Sequence, residues 1–122
     1  MRRRRGETGS NYNAPGLKRV YNGFMQLDQF RESLKLAEPP RALDAPLRAL
    51  WHDGHGDWKR AHETVQAERS KASARVHAYL HRKEGDLSNA DYWYARSESE
   101  RPRGTLESEW QDLVQRFLGE EK

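Results

Sequence analysis

An all-α fold of antiparallel helical hairpins is predicted by three observations. The stretch Leu47–Ala61 returns in outline as Val76–Ala90, at a constant offset of 29 residues. Across that offset Ala49/Ala78, His52/His81, Gly56/Gly85, Asp57/Asp86 and Ala61/Ala90 are identical pairs, and a fixed period of this size marks a helical repeat. Elsewhere apolar residues recur at helical spacing, and no segment alternates with period two over a useful length, so no sheet is expected.

The elements follow in order. Residues 1–22, rich in Arg, Gly, Asn and Ser, are expected to be an irregular, mostly disordered tail. Residues 23–122 are expected to form one helical domain. Phe24, Leu27, Phe30, Leu34 and Leu36 place a first helix over about 24–37, stopped by Pro39-Pro40. Asp44 caps a helix over 45–52, which Gly54 and Gly56 break. Asp57 caps the next, to about Glu68, and 72–84 forms another, ended by Gly85. Asp86 caps a helix to about Arg96, and 97–104 is a loop. Thr105 opens the last, whose stripe of Leu106, Trp110, Leu113, Val114, Phe117 and Leu118 is amphipathic and which Gly119 ends. The repeat hairpins therefore cover about 45–69 and 72–97.

The Gly-Asp pairs have a mechanical meaning. Gly56 and Gly85 suit the left-handed conformation that ends a helix, and Asp57 and Asp86 then accept backbone N–H bonds opening the next. Ala61 and Ala90, with Ala49 and Ala78, are small enough for the paired helices to lie close.

Composition limits the functions. Hydrophobic and charged residues each make up 34% of the 122-residue chain, so the core must be thin and lean on Trp and Tyr. Without cysteine there is no disulfide framework and no thiolate metal site. No apolar run approaches a membrane span, and no apolar segment follows Met1–Arg5 as a secretory signal requires, so a cytoplasmic protein without membrane partners is expected. Residues 1–22 carry six cationic residues against Glu7; that +5 leaves −2 for the rest of a chain whose net charge is +3. Nucleic acid is thus a partner only through Arg2–Arg5, a run that reads first as a disordered, solubilising tail.

The run Ala78, His81, Gly85, Asp86, Ala90, Tyr94, Pro102 resembles the motif of tetratricopeptide repeats. Ala74 and His77 stand where that family usually has Trp and Leu, and His81 replaces its large aromatic. The period of 29 is shorter than the family's. The resemblance covers about residues 45–102 and implies a helical array, with the helices at 24–37 and 105–118 as caps. Trp51–Trp58, His77–Asp86 and Tyr92-Trp93-Tyr94 also resemble a group of small uncharacterised bacterial proteins over most of 45–118, which carries no activity across.

Three chemistries compete. In the tetratricopeptide arrangement the first helix of each hairpin lines a concave groove, and Arg75, Tyr79, Arg82 and Lys83 share one broad face of that helix. Cations beside a tyrosine suit a carboxylate, so the leading expectation is a cofactor-free binding module for a peptide, a protein or a small acidic ligand. The plainer alternative is a solvated face paired with nearby glutamates. Second, His77, His81 and Glu84 fall on one face of the same helix, with His52 or His55 able to join from the preceding hairpin. Histidines at i and i+4 with a carboxylate are a legitimate ligand set for zinc or iron, so a small metal- or histidine-dependent enzyme using His52, His77, His81 and Glu84 is the alternative function. The competing reading makes His52 and His81 packing residues. Third, His55 with Asp53 and Asp57 at a Gly-rich tip offers acid–base chemistry, although Asp57 is already wanted as a cap. Tyr92, Trp93 and Tyr94 are consecutive, so one helix face cannot bury all three; Tyr94 should face inward. A structural, self-associating role burying Trp93 is a further possibility.

Overall fold

The computed structural model describes residues 25–119. Six helices follow one another: α1 (Leu27–Ser33), α2 (Ala45–Gly54), α3 (Trp58–Gln66), α4 (Lys71–Glu84), α5 (Leu87–Arg96) and α6 (Leu106–Leu118). No strand occurs among the described residues, so the chain is all-α. The tail at 1–22 and Phe24 lie outside the described residues.

The helix starts carry the expected caps. Asp44, Asp57, Asp86 and Thr105 accept bonds from the N–H groups of Leu47, Arg60, Asn89 and Ser108. Ser70 does the same for Ser73, so α4 begins at Lys71. The two Gly-Asp junctions share one geometry. Gly56 and Gly85 have φ of 90° and 92°. The N–H of Asp57 returns to the His52 carbonyl at 2.8 Å, and that of Asp86 to the His81 carbonyl at 3.0 Å. The repeat in sequence is thus a repeat in backbone conformation at these turns.

Two boundaries differ from expectation. The first helix stops at Ser33, and residues 34–36 tighten into i→i+3 bonds. Trp51 meets this helix end, its indole Nε1 donating to both the carbonyl and the hydroxyl of the fully buried Ser33. Gly54 does not break α2; it is the last residue of that helix. A Cβ there would lie 3.0 Å from the Trp110 ring and 3.2 Å from Leu34, so glycine serves close packing at this position.

Short turns join α2 to α3 and α4 to α5, and each pair packs as a hairpin. The second helix of the first hairpin, α3, lies against the first helix of the second, α4. α6 crosses both α2 and α4. The main core holds Phe30, Leu50, Trp51, Val65, Leu80 and Leu113, and a smaller cluster of Ala78, Ala90 and Tyr94 seals α4 to α5. All four repeat-related alanines, Ala49, Ala61, Ala78 and Ala90, are fully buried, which is what close helix approach requires.

Candidate functional site

The α3–α4 contact brings three imidazoles together. His62 comes from α3, and His77 and His81 stand one turn apart on α4. One nitrogen from each lies within 4.8 Å of the others. The Nε2 atoms of His62 and His77 are 3.1 Å apart. Two nitrogens at about 2.0–2.1 Å from one tetrahedral ion would be about 3.3 Å apart, so this pair needs only a small adjustment to share an ion.

His81 is oriented by a carboxylate. Its Nδ1 lies 2.7 Å from Glu84 Oε2, a contact that puts a proton on Nδ1 and turns Nε2 away from the carboxylate. Indoles wall the cluster. Trp58 stacks on His62 at 5.0 Å and meets His81 edge-on, and its Nε1 donates to the Leu80 carbonyl at 2.8 Å. Trp93 stacks on His77 at 4.0 Å.

The surroundings favour neutral rings. Burial first, then the neighbouring His62 and His81, push the His77 pKa down to about 4. Burial, followed by His81, lowers that of His62. Neutral imidazole is the form that binds a metal. His77 Nδ1 is also buried without a hydrogen-bond partner. An orphaned buried nitrogen costs about 1–3 kcal/mol, an expense that an apolar ring of similar size would avoid. Three imidazole nitrogens provide a donor set suited to zinc, iron, nickel or copper.

The structure distributes the sequence-derived candidates differently. Of the metal set His52, His77, His81 and Glu84, His77 and His81 join the cluster, Glu84 touches it only through His81 Nδ1, and His52 lies outside. His52 is buried on α2 with its ring edge-on to Trp51, and burial, then Arg60, lowers its pKa. His62 takes the place assigned to it. The signal for His62 was its position four residues after Trp58, facing the next hairpin.

The candidate ligand face is occupied from within. Arg75 and Arg82 reach the two oxygens of Glu109 at 2.7 Å each, and Arg82 also bonds the Gly104 carbonyl. Tyr94 donates to Glu109 as well, at 2.7 Å. Tyr79 donates to Asp53 Oδ2 at 2.8 Å, and Lys83 reaches Asp53 Oδ1 at 2.9 Å. Glu109 and Asp53 are 3% and 4% exposed, so these four residues rivet α4 to α6 and α2. The hairpin tip does not converge either: His55 Nδ1 bonds the Leu34 carbonyl and Asp57 caps α3.

Fold and cluster together define an all-α protein with a three-histidine centre held between two hairpins. No family model, curated protein or solved structure matches the chain.

Proposed function

We propose that this protein is a small metal-dependent enzyme in which His62, His77 and His81 hold one divalent transition-metal ion, zinc or iron. The observation that supports it best is the convergence of three buried or half-buried imidazoles, one of them steered by Glu84. Three protein ligands with a position left for water or substrate are the pattern of catalytic, not structural, zinc. Held by these residues, such an ion would supply a bound water of lowered pKa and a Lewis acid for a substrate oxygen. Glu84 acts on the ion only through His81, holding the imidazole in the ligating tautomer. This reading is the metal- or histidine-dependent alternative with His62 in place of His52. The acidic-ligand reading does not rest on Arg75, Tyr79, Arg82 and Lys83, because their polar groups already meet Glu109 and Asp53.

The test is the metal content of full-length protein purified without a histidine tag, measured by elemental mass spectrometry and followed by zinc titration calorimetry. Near-stoichiometric metal, lost in His77→Ala and His62→Ala but retained in His52→Ala, is the expected result. A folded protein that neither retains nor binds zinc or iron would overturn the proposal.

A further inference from the structure

Beside the histidine centre lies a cleft of about 560 Å³ between the α3–α4 turn and the C-terminal half of α5. Arg69, Ser70, Trp93 and Arg96 line it, together with Glu68. Trp93 is the wall common to both places, since its ring stacks on His77 and also borders the cleft.

Arg96 is held unusually. Its guanidinium sits 5.5 Å from the Trp93 ring centroid and 5.7 Å from that of Tyr92. Its hydrogen bonding among the described residues is one long contact, Nη1 donating to the Tyr92 hydroxyl at 3.5 Å. Aromatic faces therefore fix the cation while its planar fork of donors stays available. Arg31, Arg75, Arg82 and Arg101 each meet a carboxylate; Arg41, Arg48, Arg60 and Arg103, like Arg96, do not among the described residues. Arg69 has no carboxylate partner among the described residues. Two uncompensated guanidiniums thus share the cleft with a single carboxylate, Glu68. Ser70, the N-cap of the 14-residue α4, adds the positive end of that helix.

We propose that this cleft anchors the phosphate group of a small phosphorylated ligand. A dianion suits two guanidinium forks beside a helix N-terminus better than a carboxylate does. This anchoring does not rest on the metal reading above, and the two are separable by experiment. Inorganic phosphate is titrated calorimetrically into zinc-loaded and metal-free full-length protein, with acetate as the comparison anion.

Arg96→Gln and Arg69→Gln are expected to weaken phosphate binding tenfold or more while zinc content stays unchanged, and Arg96→Lys to restore part of the loss. His77→Ala should lose zinc yet keep the Arg96-dependent phosphate binding of the metal-free chain. Folded Arg96→Gln and Arg69→Gln proteins that bind phosphate within twofold of wild type would overturn the proposal. So would equal binding of acetate. Absence of metal, with Arg96-dependent phosphate binding intact, would remove the metal reading and leave the anchoring cleft standing.

Discussion

Glu109→Ala tests the packing on which both the fold and the site depend. Glu109 is 3% exposed and receives three polar partners at 2.7 Å: Arg75 and Tyr94 on Oε2 and Arg82 on Oε1. Its removal strands two guanidiniums whose side chains are 10% and 15% exposed. It also leaves without its acceptor a tyrosine whose pKa is raised by burial and by that same carboxylate. Breaking one side of a buried ion pair costs about 3–5 kcal/mol, against a total stability of about 5–15 kcal/mol for a domain. At about 4–8 °C per kcal/mol, the melting temperature should fall by about 12 °C or more. Urea unfolding, followed by far-UV circular dichroism and by tryptophan fluorescence, measures the loss directly. Glu109→Gln, which retains one acceptor and the side-chain volume, should lose less. A loss below about 1 kcal/mol for Glu109→Ala would refute the argument that Glu109 neutralises this cluster. Arg75→Ala should destabilise on the same scale; if it left stability intact and abolished capture of an acidic ligand, Arg75 would return as a ligand residue.

Other outcomes follow from the same structure. In metal-free protein, His77 has a folded pKa of about 4 against 6.5 unfolded, so the unfolded chain binds its proton first as pH falls. The stability tied to neutral His77 is complete above pH 6.5 and is lost progressively down to about pH 4, a loss of about 3 kcal/mol at most; urea midpoints measured from pH 7.5 to 4.5 should decline over that window, and flat midpoints would contradict the burial argument. Glu84→Gln, which weakens the hold on His81 Nδ1, should reduce zinc affinity about 10–100-fold with little change in stability, read by competition with a chelating dye. Gly85→Ala, at φ of 92° with open space around its Cβ, should cost about 1–2 kcal/mol from backbone strain alone, seen as a shifted urea midpoint, and the same change at Gly56 should cost a similar amount.

Much of the fold was legible because its signals are local. Asp44, Asp57, Asp86 and Thr105 cap within three residues of themselves, and Gly85 and Gly119 end helices through their own backbone. Boundaries set by distant groups were not legible. The end of α1 at Ser33 is met by Trp51, 18 residues away, and a side chain at Gly54 would meet Trp110 from α6. Tyr94 was placed correctly inward from its spacing to Ala90, and both are buried.

The site divides along the same line. The sequence by itself determined that His77, His81 and Glu84 share a face, because helical periodicity places residues three, four and seven apart on one side. It also determined, through the 29-residue offset, that the Gly56-Asp57 and Gly85-Asp86 turns repeat one geometry. Tertiary structure alone decided which histidine completes the cluster. The repeat equates His52 with His81, but His52 packs against Trp51 and stays outside the cluster. It is α3, the returning helix, that packs on α4 and delivers His62. Tertiary structure alone also turned Arg75 and Arg82 from a candidate ligand face into an internal clamp. Their counter-charge, Glu109, sits 34 and 27 residues further along the chain, and no local pattern links a cation to a carboxylate that only the docking of α6 brings within reach.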